Sequence, residues 1–172
     1  MNYITHSEKE TFELGVEFGK NAKAGEVYAL NGSLGSGKSV FARGFARGLG
    51  IEAPIPSPTF TVMNMYEEGR LAFYHFDVYR LADQSGDHTL ASNGIERGHY
   101  VCSDNYALES IEAEDQLVDI GFFDYVSAGG VCLIEWALLV EGILPKDTIK
   151  INFKKHEGEA DVRRIEVMNK GR

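Results

Sequence analysis

Two cysteines are all that the 172 residues contain. Cys102 and Cys132 form no CxxC pair and share no Cys/His cluster, which excludes a disulfide framework and a zinc knuckle and leaves two ordinary reduced thiols. No stretch approaches the roughly 18–20 uninterrupted apolar residues of a membrane span. The opening MNYITHSEKE also lacks a basic start ahead of an apolar signal core, so a soluble, cytoplasmic protein without a membrane partner is expected. Positive charge is scarce too: 17 Lys and Arg face 26 Asp and Glu, a formal charge of -9. That balance argues against a protein whose main affinity comes from neutralising the phosphates of a nucleic acid, so any RNA or DNA contact is local or made by a partner. With 44% apolar and 25% charged residues, the chain can bury a core of one domain's size.

Where the chain carries pattern, helix and strand signals alternate. Ser7 with Glu10 three residues on is a capping box, in which each side chain satisfies an orphan amide at a helix start. Leu14, Phe18 and Ala22 continue at helical spacing towards a stop near Gly25. Val27 to Leu30 is apolar without alternation and runs into glycine, the mark of a short buried strand. From Lys38 the pattern is helical again, with Phe41, Phe45 and Leu49 on one stripe, Arg43 and Arg47 on another, and Gly50 as the stop. Pro54, Pro56 and Pro58 predict an ordered loop. Aromatic and branched residues predict strands over Phe60–Tyr66 and Leu71–Tyr79, joined as a hairpin through Glu67-Glu68-Gly69-Arg70. Residues 84–113 hold five acids and one Arg with little periodicity, and predict a surface excursion. A helix over Asp115–Tyr125, a buried strand over Val131–Ile134, and a strand pair of Thr148–Phe153 with Arg164–Met168 complete the pattern. Early interleaving and late antiparallel pairs predict a single α/β domain over 1–172, with a mixed sheet and helices on its faces.

Gly32-Ser33-Leu34-Gly35-Ser36-Gly37-Lys38-Ser39 fits G-x-x-x-x-G-K-[ST], the phosphate-binding P-loop. A chance match in a chain of this length is on the order of one per cent, and here the match follows a predicted strand and opens a predicted helix. Gly32, Gly35 and Gly37 let the backbone turn so that successive N–H groups, that of Ser36 included, point inward at phosphate oxygens. The helix start adds its positive end, Lys38 brings an ammonium to the β- and γ-phosphates, and the Ser39 hydroxyl is placed to ligate magnesium. Glu135 ends an apolar strand as a Walker B acid does and is a candidate magnesium ligand. Asp77, inside an aromatic run where an unpaired charge would be expensive, is either a functional ligand or the partner of a group such as Arg80. Thr59 is placed either to sense the γ-phosphate or to cap a turn. His75 fits a structural strand histidine, hydrogen-bonded or facing solvent.

LNGSLGSGKSVFARGFARGLG, PSPTFTVMNMY, FYHFDVYRL and CLIEW, in that order, closely resemble the bacterial TsaE (YjeE) family, across nearly the whole chain except residues 84–113. The resemblance implies a three-layer P-loop NTPase fold and an ATPase with slow, partner-stimulated turnover. It implies ATP and Mg²⁺ as cofactors and action on the TsaD and TsaB proteins, which threonylcarbamoylate adenosine 37 of tRNAs, with tRNA met only through that complex. Position by position, Lys38 matches the phosphate lysine, Ser39 the magnesium Ser/Thr, Thr59 the switch threonine, and Asp77 the aspartate of HFDxYR. Glu135 and Trp136 match the IEW pair, Thr11 a threonine near the nucleotide, and Gly158 a loop approaching the base. The family's segment between YRL and IEW is short, so about thirty residues, 84–113, are expected as an insertion, which a loop tolerates at roughly 0.6 kcal/mol per doubling of length. A small-molecule or nucleoside kinase is the competing class, with Asp77 as base, although the expected insertion offers only Arg97 to a phosphate lid. No N-K-x-D stretch is present to read guanine, which favours ATP over GTP.

Overall fold

The computed structural model describes residues 1–81, 106–156 and 158–168. Among the described residues seven strands form one sheet: β1 (Asn2–Thr5), β2 (Val27–Asn31), β3 (Met63–Tyr66), β4 (Phe73–Asp77), β5 (Val131–Glu135), β6 (Ile149–His156) and β7 (Glu159–Met168). Their order is β1-β7-β6-β2-β5-β4-β3. The inner strands β6, β2, β5 and β4 run parallel, while β3 closes one edge and β7 with β1 the other in antiparallel pairing. The mixed sheet and the antiparallel β3–β4 and β6–β7 pairs are those expected from the sequence.

Period-two alternation on the central strands feeds two cores. Tyr28, Leu30, Val131, Leu133 and Phe73 face α1 (Glu8–Asn21) and α2 (Lys38–Gly48), and pack with Phe41, Phe45 and Leu49. Val27, Ala29, Cys132, Ile134, Tyr74 and Phe76 face the other way, towards α3 (Tyr106–Asp119) and α4 (Phe122–Ser127), and pack with Ala113, Leu117 and Phe122. These are the three layers. The same alternation puts His75 and Asp77 on the face of Phe73, and Glu135 on the face of Val131 and Leu133, so all three polar residues point to the α2 side of the sheet.

The helices α1 and α2 meet backbone to backbone. A Cβ at Gly15 or Gly19 of α1 would lie 2.3 Å from the Phe41 carbonyl oxygen or 2.0 Å from that of Phe45. Gly44 and Gly48 of α2 are equally tight against the Phe12 and Val16 carbonyls, at 2.1 and 2.2 Å. Arg70 fastens the far end, with Nη2 donating to the Gly19 and Ala22 carbonyls at 2.6 Å each and its amide donating to the Leu49 carbonyl. Orphan carbonyls at the end of α1 are thereby satisfied by a side chain from the β3–β4 connection.

Several bounds differ from expectation. Residues Phe60–Val62 turn rather than extend, because Val62 sits at φ 64° and the strand starts at Met63. Beyond Asp77 the expected strand gives way to a 3₁₀ turn at Tyr79–Leu81. The helix expected over Asp115–Tyr125 starts earlier, at Tyr106, and is broken by Gly121 at φ 86°, which separates α3 from α4. Of the excursion expected over 84–113, residues 84–105 lie outside the described residues. Its last part, 106–113, belongs to α3, with Ala113 in the core. The terminal hairpin runs through Lys154, Lys155 and His156, since exposed main-chain pairing needs no apolar side chains. The edge strand β1 was not anticipated, its four residues being too short to show a period. Cys102 is outside the described residues, and Cys132 is a free, buried thiol that burial pushes up to about 12.

The glycine-to-backbone contact predicts that Gly44→Ala forces α1 and α2 apart, at a cost of about 1–3 kcal/mol, read as a lower urea midpoint at an unchanged m value. A midpoint equal to or above that of the wild type would show that the helices are not held at this distance.

Candidate functional site

The parallel pairing of β4 with β5 brings Asp77 directly opposite Glu135 at the carboxyl ends of both strands. This is the edge of an open α/β sheet where ligands bind. The next strand over, β2, ends at Asn31 and runs into the glycine loop, from which α2 departs with Gly37 as its N-cap at φ 105°. A Cβ at Gly32 would lie 2.5 Å from the Phe153 carbonyl oxygen and 2.8 Å from Ser36 Oγ, so only glycine fits there. Ser36 is fully buried, and its Oγ has no hydrogen-bond partner. A glycine loop on the cavity wall, an orphan hydroxyl and a helix N-terminus together form a cradle suited to an anion.

Lys38, the first residue of α2, is 4% exposed. Its Nζ donates to the Gly32 carbonyl at 2.7 Å and the Ser33 carbonyl at 3.0 Å, and lies 3.8 Å from the centroid of the Trp136 ring. Burial pushes this ammonium down from 10.5 to about 8, against the opposing pull of Glu135 and Asp77. Trp136 itself takes φ 63°, a left-handed conformation rare for a residue with a side chain. That turn at the end of β5 lays its indole between Lys38 and Tyr79, whose ring is 4.9 Å away.

Ser39 Oγ donates to Glu135 Oε2 at 2.8 Å, and the other oxygen, Oε1, is 2.9 Å from His75 Nε2. Because an ionised carboxylate only accepts, Nε2 of His75 is the donor. Asp77 is as fully occupied: Oδ2 accepts from Thr59 Oγ1 at 2.7 Å and Ser57 Oγ at 2.9 Å, and Oδ1 accepts from the Tyr79 amide at 3.1 Å. The polar partners of Asp77 are thus the proline-bordered loop and the 3₁₀ turn, and Arg80 instead lies over the Phe60 ring at 4.7 Å.

A cavity of about 350 Å³ opens over these groups, and Thr11, Gly35, Ser36, Gly37, Lys38, Ser39, Thr59, Asp77, Glu135 and Trp136 all line it. Thr11 is held by Thr5 Oγ1 at 2.8 Å and by the Ser7 carbonyl at 3.1 Å. Gly158 alone of the expected site residues is not on the wall; it occupies the β6–β7 connection at φ 85°. The hairpin reaches the cavity through other residues. Arg163 lines it, with Cδ 3.6 Å from where a Gly37 Cβ would be, and Lys155 Nζ would be 3.4 Å from a Gly35 Cβ. Lys155 and Arg163 are cross-strand partners in register, as are Lys154 and Arg164, and like charges directly opposite are unfavourable unless an anion lies near. Neither Arg163 nor Lys155 was picked out from the sequence, because their proximity to the loop depends on the register of a distant hairpin; two pairs of cations within eleven residues of an acidic chain were the available signal. Glu8, Ser57 and Tyr79 also line the cavity.

Comparison with known proteins bears on this geometry. The sequence profile of the family described as threonylcarbamoyl adenosine biosynthesis protein TsaE matches residues 5–102 and 94–165. The chain is 35% identical over 154 residues to the tRNA threonylcarbamoyladenosine biosynthesis protein TsaE of Treponema pallidum, an overlap of 90% of this chain and 91% of that one. Against the protein of the same name from Bacillus subtilis it is 37% identical over 134 residues, 78% of this chain and 65% of the relative. Against that of Haemophilus influenzae it is 31% identical over 150 residues, 87% and 75% of the two chains. The crystal structure of Bacillus subtilis YdiB superposes with a TM-score of 0.71 at 29% identity, over 99% of this chain and 86% of that one. With its P-loop cradle, its Asp77–Glu135 pair and these matches over most of its length, the chain belongs to the TsaE family.

Proposed function

We propose that the chain binds ATP and hydrolyses it, as the nucleotide-driven component of threonylcarbamoyladenosine modification of tRNA. The observation that carries this reading is the built cavity. It combines a glycine cradle, a buried lysine, and a serine hydroxyl already bonded to a strand-end carboxylate. The relatives' shared name, tRNA threonylcarbamoyladenosine biosynthesis protein, supports the pathway. In that pathway TsaD and TsaB are the partners on which the chain acts, in the cytoplasm. The charge of -9 supports an indirect role towards tRNA, through those proteins. We read the chain as one domain with residues inserted, relative to the family, in the region of 84–113. The two overlapping segments of the profile match, 5–102 and 94–165, are consistent with a break in that region.

In this reading the loop amides and Ser36 Oγ receive the β-phosphate, and Lys38 exchanges its two carbonyl acceptors for phosphate oxygens. Ser39 Oγ and the carboxylates of Glu135 and Asp77 are hard oxygen donors of the kind magnesium takes, and these residues would hold the ion. Held by these residues, magnesium would supply positive charge to the phosphates. Hydrolysis breaks the bond between the γ-phosphorus and its bridging oxygen, with water adding to phosphorus and ADP leaving. The residues contribute position and charge rather than covalent chemistry. Thr59 and Ser57, tied to Asp77, hold the loop that faces the γ-phosphate, and Thr11 and Trp136 form the walls. The kinase alternative finds less support, since the relatives' shared name points to tRNA modification and not to phosphorylation of a metabolite.

Lys38→Ala is expected to lower kcat/KM for ATP by about 100- to 1000-fold, and unchanged turnover would remove the P-loop assignment. Glu135→Ala is expected to lower kcat far more than ATP affinity. Equal losses in both would make it a binding residue only.

The low value of Lys38 has a signed consequence. Bound phosphate favours the ammonium, so affinity is level below about pH 8 and falls as pH rises beyond it, with a proton taken up on binding. Calorimetry at pH 8.5 in two buffers of different ionisation heat measures that uptake. Binding without proton uptake at this pH contradicts the assignment of Lys38 to the phosphate. In the nucleotide-free protein the lowered value costs stability below about pH 8, and that cost is relieved between 8 and 10.5.

A further inference from the structure

We propose that His75 is a positioning residue for hydrolysis, acting through Glu135; this rests on the reading of the cavity as an ATP hydrolysis site. His75 is 1% exposed, next to the equally buried Glu135, on the strand register that sets His75 opposite Leu133 and Asp77 opposite Glu135. Its ring stacks on Phe73 at 5.6 Å and 20° between planes, which fixes the imidazole plane. Nε2 then meets Glu135 Oε1 at 2.9 Å, while Oε2 receives Ser39 Oγ at 2.8 Å. The carboxylate is therefore held at both oxygens, one by the start of α2 and one by β4.

A histidine that served only to fill the core would have both nitrogens satisfied or be replaced by an apolar ring. Here Nδ1 is buried and has no hydrogen-bond partner, a standing cost that the Nε2 bond to Glu135 offsets. Among the described residues His75 is the side chain that donates to Oε1 of Glu135. Oε1 is bonded to His75, which is not among the residues lining the cavity, and Oε2 to Ser39, which is. Without His75, the carboxylate is free to rotate about its last torsion and to leave Ser39.

Two substitutions separate positioning from packing. His75→Phe keeps an aromatic ring against Phe73 but removes the donor, and His75→Gln restores an amide donor near the Nε2 position. The expected result is a fall in kcat of about 10- to 100-fold for His75→Phe, with ATP affinity, read from the emission of Trp136, within about threefold of the wild type. His75→Gln recovers most of the loss. In the Glu135→Gln background, His75→Phe is expected to cost nothing further, because the residue it positions is already disabled. Full additivity of the two substitutions, or loss of ATP affinity in parallel with kcat, overturns the proposal. A second readout needs no turnover: in the nucleotide-free protein, the unfolding midpoints of the two single variants and the double variant must be non-additive, and additive midpoints would show that the bond is not made in solution. If the wild-type chain with its partners hydrolyses no ATP while these midpoints remain coupled, the hydrolysis reading fails and the His75–Glu135 bond stands.

Discussion

Glu135 is a carboxylate at 1% exposure in a chain that already carries an excess of acids, and the arrangement around it is what burial of that charge requires. Ser39 and His75 donate to it directly, and the Lys38 ammonium adds its charge nearby. Those three partners come from the start of α2 and from β4, so satisfying one charge fixes the glycine loop against the sheet's carboxyl edge. If β4 slipped by one residue, His75 would turn to the opposite face and Glu135 would lose a donor. Strand register and site geometry are therefore the same constraint.

The two carboxylates share an edge yet differ in their partners. Glu135 is bonded to the nucleotide-binding helix, whereas Asp77 is bonded to the loop of Ser57 and Thr59 and to the amide of Tyr79. Two strained residues flank this division. Val62, at φ 64°, accepts from the Asp77 amide through its carbonyl, and Trp136, at φ 63°, follows Glu135. Strain of about 1–3 kcal/mol per residue persists only where the surroundings over-determine the backbone, and such residues cluster at functional sites. Here each one turns the chain immediately beside an acid.

Much of this was legible locally. The P-loop is a contiguous pattern with a physical role at each fixed position, and β2 and β5 are apolar runs ending in a loop glycine or an acid, so the cradle, Lys38, Ser39 and Glu135 could be placed without knowing the fold. What was not legible depends on pairing across long separations. The partner of Asp77 was open between a ligand and Arg80, and proves to be Ser57 and Thr59, brought in by a loop whose geometry the prolines alone do not specify. Gly15, Gly19, Gly44 and Gly48 are weak helix formers in isolation, and their purpose appears only when two helices are laid in contact. Arg163 reaches the cavity because β7 pairs with β6 in one register, and Gly158, expected from the same hairpin, does not. His75 was read as structural, since nothing in the local pattern shows that its strand places it beside Glu135.

Trp136 is the single tryptophan of the chain, and its ring lies against the Lys38 ammonium. Its emission therefore reports directly on whether that lysine leaves for a phosphate. Titration of the purified chain with ATP and magnesium, followed by tryptophan emission, is the most direct measurement of the central claim. A saturable change that ATP produces and AMP does not is the predicted result. No saturable change, or one that AMP reproduces in full, would contradict a site built around the β- and γ-phosphates.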